Sequence, residues 1–235
     1  MCGTCGCGDT QLVPVELQEN ILAINERGAS HNREHFERSG VLAINLMGSP
    51  GAGKTALLEA TAQAWRGRRL CAMSGDLATD NDAKRLTRAG IESRAITTGQ
   101  ACHLDAAMVH HALHHLDWQG ADVLFVENVG NLVCPAVYDL GQTANVVALS
   151  VTEGEDKPLK YPVMFQKADL VLLTKMDLAP HLPDLDVPSI RDALARVAPR
   201  AEMLEVSAVA RTGIAPWIAW LEARLGGVRG RRAAE

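Results

Sequence analysis

What the chain lacks narrows it first. Its 235 residues hold 23 Lys and Arg against 28 Asp and Glu, a net charge of −5. A nucleic-acid binder is normally basic, so no nucleic-acid partner is expected. No apolar run approaches the roughly 20 residues of a membrane span, so no membrane partner is expected either. Residues 1–10 are Cys/Gly-rich rather than apolar, so no secretory leader is expected and the chain is placed in the cytoplasm. In that reducing compartment, six cysteines are metal ligands or plain thiols rather than disulfides. There is no internal repeat and no long low-complexity tract. What remains is a chain that is 47% hydrophobic, ample for a core, and long enough for one generous domain or a domain plus an extension.

Along the chain, residues 1–9 form a small cysteine cluster and residues 10–40 are polar, with a helix expected from Val15 to Arg27. Strands are expected over Val41–Met47, Leu70–Ser74, Ala121–Val126, Ala144–Val151, Leu170–Thr174 and Glu202–Val206. Helices over Ala56–Trp65 and Leu104–Leu116 lie between them. This alternation predicts an α/β fold: a P-loop NTPase with a mainly parallel sheet flanked by helices. Residues 1–40 form a short metal-binding extension, 41–225 the G domain and 226–235 a Gly/Arg-rich flexible tail that frays. Functional loops should collect at the carboxyl ends of the strands.

Residues Gly48-Ser49-Pro50-Gly51-Ala52-Gly53-Lys54-Thr55 match the spacing G-x-x-x-x-G-K-[ST], between an apolar strand and a helix. Gly48, Gly51 and Gly53 let the backbone wrap so that its N–H groups, Ala52 included, face phosphate oxygens. Lys54 adds charge for the β- and γ-phosphates, and the Thr55 hydroxyl can sit on Mg²⁺. Thr174-Lys175-Met176-Asp177 follows another apolar strand and is close to the guanine-reading pattern Asn-Lys-x-Asp. Asp177 can accept from guanine N1–H and the exocyclic amine, which adenine does not match. The Lys175 stem can lie along the base. Ser207-Ala208 ends the next strand as a further base-contacting loop. Two carboxylates stand where Mg²⁺ and the attacking water need them: Asp76, after the second strand, and Glu127, after Val123-Leu124-Phe125-Val126. The plainer alternatives are a helix cap for Asp76 and a strand-end surface charge for Glu127.

Cys102-His103 and Cys134 form a second constellation, in loops expected near the phosphate side of the sheet. Two thiolates and an imidazole suit Zn²⁺ or Ni²⁺; two buried thiols and a capping histidine are the plainer alternative. At the N-terminus, Cys2-Gly3-Thr4-Cys5-Gly6-Cys7 can wrap three sulfurs together. With an α-amine on Cys2 these offer a four-coordinate plane that suits Ni²⁺; the alternative is a tail whose thiols oxidise. His110/His114, His111/His115 and His31/His35 are i,i+4 pairs, a spacing that can chelate but more often marks a solvated or interface face.

Taken together, Cys2 to Cys7, Gly48 to Thr55, Gly75 to Ala83, Cys102 to Ala106, Glu127 to Pro135 and Thr174 to Asp177 resemble the HypB family, the GTPases that help insert nickel during hydrogenase maturation. The resemblance covers residues 1–225 and implies a SIMIBI-class GTPase that binds GTP/GDP and forms a homodimer with its nucleotides near the interface. It also implies a tight nickel site at Cys2, Cys5 and Cys7, and a weaker Ni/Zn site at Cys102, His103 and Cys134. A hydrogenase large-subunit precursor and another nickel maturation protein are the implied partners. Two features depart from the pattern: Thr174 replaces the usual Asn, which ties neighbouring loops together, and the His-rich stretch that would suit nickel storage is absent. A urease-type nickel GTPase is the nearest alternative, but its Cys-Pro-His motif is here Cys134-Pro135-Ala136. A storage or sensor protein with little turnover is the alternative from another class. Because no arginine finger or catalytic glutamine is evident, a lone protomer should be slow, with Lys157 a candidate to complete a partner's site. The short loop from Glu127 to Cys134 is expected to transmit displacement between the nucleotide and the metal, unless it hinges at Gly130, the only residue that invites a hinge.

Overall fold

The computed structural model describes residues 15–76, 79–99 and 101–234. In chain order the elements are α1 (Val15–Ser39), β1 (Leu42–Gly48), α2 (Lys54–Ala64), β2 (Leu70–Asp76), α3 (Asn81–Arg88), β3 (Glu92–Thr97), α4 (Ala106–Leu113), β4 (Val123–Glu127), β5 (Ala144–Ser150), α5 (Lys157–Lys160), α6 (Pro162–Gln166), β6 (Leu170–Thr174), α7 (Val187–Val197), β7 (Glu202–Glu205) and α8 (Ile214–Ala234). Short 3-10 helices occupy Cys134–Ala136 and Met176–His181. The strands form one parallel sheet in the order β3-β2-β4-β1-β5-β6-β7.

Period-2 alternation in β1 explains how the sheet is covered on both sides. Leu42, Ile44 and Leu46 pack with Leu57 and Leu58 of α2 and with Trp217 and Leu221 of α8. Val41 and Ala43 belong to the opposite face, with Phe36 of α1 and Val109 and Leu113 of α4. Farther along that face, Val147 and Leu149 meet Phe165 of α6 and Ile190 and Leu194 of α7. Each fully buried aliphatic or aromatic side chain contributes about 1.5–3 kcal/mol. Trp217 is fully buried and still donates its indole N–H to Thr61 Oγ1 at 2.9 Å.

The chain leaves β1 toward β2 on one side and later places β5 on the other, so β1 is a topological switch point. Ligands of open parallel sheets bind where strand order reverses in this way. The loop Gly48 to Thr55 lies at this point.

Three expectations are corrected. The sheet has a seventh strand, β3, that the apolar pattern does not reveal: Glu92-Ser93-Arg94-Ala95-Ile96-Thr97 is an edge strand, paired only with β2 and largely exposed. Helix α1 does not stop at Arg27 but runs to Ser39. Its buried stripe is Ala29, Asn32 and Phe36, and the polar residue in the middle masks the period. The segment from Gly226, expected to fray, continues α8 to Ala234. Val228 is buried there, Arg229 reaches Asp122 at 2.6 Å, and Arg232 donates to the Ser39 carbonyl at 3.2 Å.

Candidate nucleotide and metal sites

The loop after β1 takes the conformation its glycines allow. Gly48, Gly51 and Gly53 have φ of 146°, 74° and 93°. A Cβ on Gly48 would stand 2.4 Å from the Ala148 carbonyl oxygen, so this position excludes any side chain. Lys54 and Thr55 open α2, whose N-terminus leaves its first N–H groups without helical partners at the cavity's edge. Lys54 Nζ donates to the carbonyls of Gly48 and Ser49 at 3.2 and 3.1 Å. Ser49 Oγ donates to Glu153, whose other oxygen accepts from Ser150 N at 2.9 Å, so the loop is tied to the end of β5.

A cavity of about 450 Å³ opens beside this loop, lined by Gly51, Gly53, Lys54 and Thr55 together with Asp76 and Glu127. Thr55 Oγ1 donates to Glu127 Oε1 at 2.7 Å, and Ser74 Oγ approaches Glu127 Oε2 at 3.5 Å. Glu127 is buried at 3% exposure, which removes its reading as a surface charge. Burial raises its pKa, opposed by the Thr55 hydrogen bond and by the charge of Lys54. Burial likewise lowers the Lys54 pKa, opposed chiefly by Glu127. A buried ammonium and carboxylate so placed are poised to exchange each other for phosphate charge and a hard cation. Asp76 ends β2 and accepts from Thr79 N at 3.0 Å. Asp82 and Arg85 of α3 line the same cavity and escape the motif search. Arg85 forms a two-pronged pair with Glu59 at 3.1 and 2.7 Å; only its place in Gly75-to-Ala83 and the following Lys84-Arg85 could have signalled it.

On the other side of the phosphate loop, Lys175 takes a left-handed backbone with φ of 59° at the end of β6. Asp177 accepts from Ser207 Oγ, so the two expected base-contacting segments meet; Ala208 follows directly and is half-buried. Thr174 supplies the loop tie expected of the missing Asn. Its buried hydroxyl lies 2.6 Å from the Ala52 carbonyl in the phosphate loop and 3.3 Å from that of Leu149. Lys157 begins α5, its ammonium 5.1 Å from the centroid of the Tyr161 ring.

Cys102, His103 and Cys134 come together as the spacing suggested. Their ligand atoms all lie within 4.8 Å of one another, and both cysteines are free thiols. The sulfurs are 2.9 Å apart, and Cys102 Sγ is 3.9 Å from His103 Nδ1. His103 stacks on Tyr138 with centroids 3.9 Å apart, and burial lowers its pKa. A neutral imidazole is the form that coordinates metal. The hydrogen bond with Cys102, then burial, raises the Cys134 pKa, so the pair would have to release protons to coordinate a metal. Cys71 is a core thiol, pushed up to about 11 by burial. Cys2, Cys5 and Cys7 lie outside the described residues.

A ladder of side-chain amides runs from β5 through β1 to Asn128, which stands between the two sites. Gln142 donates to Asn145, Asn45 donates to the same oxygen, and Asn128 donates to Asn45, at 3.1, 3.0 and 3.0 Å. Asn128 Oδ1 then accepts from Leu104 N at 3.2 Å, next to His103. Asn128 directly follows Glu127. Gly130, the one residue in this loop that would invite a hinge, is in tight contact with the phosphate loop: a Cβ there would sit 2.8 Å from Pro50 N. Asn131 pairs with Gly48 in an isolated bridge, and its side chain accepts from Val133 N at 2.7 Å.

Such a phosphate loop at the switch point of a parallel sheet, with Asp177 and Ser207 paired beside it, defines a P-loop nucleotide-binding fold of the GTPase type. Residues 42–205 match the family model CobW/HypB/UreG, nucleotide-binding domain. The hydrogenase maturation factor HypB of Azotobacter vinelandii is 49% identical over 93% of this chain and 72% of its own length. The structure of HypB from Archaeoglobus fulgidus superposes with a TM-score of 0.80 at 40% identity, over 87% of this chain and all of that one. HypB from Helicobacter pylori, solved in complex with nickel, gives 0.83 at 37% identity, over 86% and 95%. The chain belongs to the CobW/HypB/UreG family and, within it, to the HypB hydrogenase maturation factors.

Proposed function

We propose that the chain hydrolyses GTP to GDP and phosphate, slowly, and that hydrolysis times the release of Ni²⁺ for [NiFe]-hydrogenase maturation. The setting is the cytoplasm, the working form a homodimer, and the partners a large-subunit precursor and a second nickel maturation protein. The phosphates lie across Gly48 to Thr55, with Lys54 neutralising the β- and γ-groups. Thr55 and Glu127 offer adjacent hard oxygens that fit Mg²⁺, which when bound would neutralise charge on the phosphate oxygens. Asp76 orients the water that attacks the γ-phosphorus, while the bond to the bridging oxygen breaks. Asp177, with Lys175, Ser207 and Ala208 around it, reads the guanine edge. Ni²⁺ is cargo held by Cys102, His103 and Cys134, a set that also takes Zn²⁺.

One observation carries this reading. Glu127, bonded to Thr55, and Cys134 belong to one loop, and Asn128 between them holds the backbone beside His103. A shift of Glu127 between nucleotide states therefore moves both halves of the thiolate–imidazole site. Ni²⁺ and Zn²⁺ titrations with GDP and with a non-hydrolysable GTP analogue test it. The expected difference in metal affinity is at least fivefold, about 1 kcal/mol of coupling. Identical affinities would leave the sites as mere neighbours. Turnover of GTP separates this reading from a storage or sensor protein.

The cysteines at positions 2, 5 and 7 are proposed as a second nickel site. Deleting residues 2–7 should remove one tight Ni²⁺ equivalent and leave GTP hydrolysis unchanged, since the sheet domain carries the nucleotide machinery. Unchanged nickel stoichiometry would refute it.

A further inference from the structure

Four of the histidines not used by either site converge. His31 and His35 are one turn apart on α1, and His110 approaches them from α4. Their rings pack at centroid distances of 4.4, 4.9 and 5.8 Å, and one nitrogen from each falls within 4.8 Å of the others. His31 Nε2 and His35 Nε2 are 3.0 Å apart, and His114 Nε2 lies 3.4 Å from His110 Nε2. A tetrahedral ion with metal–nitrogen bonds of about 2.0–2.1 Å spaces its ligands about 3.3 Å apart. The 3.0 Å between His31 and His35 and the 3.4 Å between His110 and His114 are close to that spacing.

A second observation goes beyond proximity. Asn32 is fully buried under the cluster, and its Nδ2 donates to the carbonyls of Ala106 and Leu140 at 2.9 and 3.1 Å. Both amide protons are committed, so Oδ1 is the atom that faces His110 Nδ1 at 3.1 Å. His110 must then carry its proton on Nδ1 and present a lone pair from Nε2 toward the other rings. Metal-bound histidines show this same outer hydrogen bond, which fixes tautomer and ring direction. An ordinary solvated helix face has no use for it. The donors are all neutral nitrogens, which select borderline transition metals over Mg²⁺ or Ca²⁺.

We infer that His31, His35 and His110 form a divalent transition-metal site, completed by His114 or water, that clips α1 to α4. It is separate from the thiolate sites and takes Ni²⁺ or Zn²⁺. The test uses the full chain with Cys2, Cys5 and Cys7 replaced by Ser and Cys102 and Cys134 by Ala. Calorimetric titration with Ni²⁺ or Zn²⁺ alone should find one remaining equivalent. In nitrogen-detected imidazole spectra, Zn²⁺ should shift Nε2 of His31, His35 and His110, with Nδ1 of His110 already protonated. His31→Gln with His35→Gln should weaken this equivalent at least tenfold, while circular dichroism and GDP binding stay as before. Should the cysteine background fail to fold, the same two substitutions in the natural chain should lower total metal stoichiometry by one. No remaining equivalent, an affinity untouched by the two substitutions, or binding that moves only His111 and His115 would overturn the assignment.

Discussion

Asp177 presents a carboxylate with one oxygen already fixed by Ser207 Oγ. That contact holds the group at the end of β6 and uses one of the carboxylate's roughly four lone-pair sites, leaving the others to accept from a base. Replacing it with Asn substitutes a donor for one of the acceptors that guanine needs. Asp177→Asn should lose at least tenfold of the preference for guanine over xanthine nucleotides, about 1.4 kcal/mol, in competition binding. Equal binding of ATP and GTP by the natural chain would end this assignment. The motif made Asp177 legible because its chemistry is carried by one side chain in one short spacing. Thr174 was legible only as a departure. Its substitute role appears once the Ala52 carbonyl is seen 2.6 Å away, across 122 residues of sequence. Asn128 and Asn32 were not legible at all, since an isolated Asn reads as a turn or surface residue until its partners are known.

At the scale of elements, the segment after β4 is the one whose shape matters most. It is pinned at Gly130 against Pro50, at Asn131 against Gly48 and at Asn128 against Leu104. A loop held at three points moves as a piece, and it moves with the phosphate loop. Gly130→Ala would place a methyl group within 2.9 Å of Pro50 backbone atoms, so one of the two loops must shift. GDP affinity should fall by at least tenfold, about 1.4 kcal/mol, and the difference in metal affinity between nucleotide states should shrink in parallel titrations. Unchanged nucleotide binding would show that the contact is slack. Elements with strong apolar periods, such as β1, β4 and β6, are legible because burial on both faces demands them. The edge strand β3 and the second half of α1 are not. β3 buries little, the buried stripe of α1 is interrupted by the polar Asn32, and both are stabilised by neighbours that sequence alone does not bring near.

At the scale of the whole molecule, exposed apolar side chains gather around the loop that carries Cys134. Val133 and Val137 flank Cys134 and are 51% and 46% exposed. Val163 of α6, which adjoins the 3-10 turn at Cys134–Ala136, is 46% exposed, and Leu159 of α5 is 42% exposed. Scattered apolar side chains need no explanation, but these share a neighbourhood with the thiolates and the loop from Glu127. A two-fold interface here would join the same patch on two copies and set both metal loops side by side. It would also place the nucleotide-coupled loop where dimerisation can sense it. A carboxylate introduced at such an interface would be buried without a partner. Val137→Asp combined with Val163→Asp should weaken the dimer formed with Mg²⁺ and a GTP analogue by at least tenfold in sedimentation equilibrium, about 1.4 kcal/mol. The fold should survive, because both side chains already face solvent. Metal affinity in the GTP-analogue state should fall toward that of the monomer. A dimer of undiminished strength would put the interface on another face, and the apolar rim around Cys134 would then belong to a different partner protein.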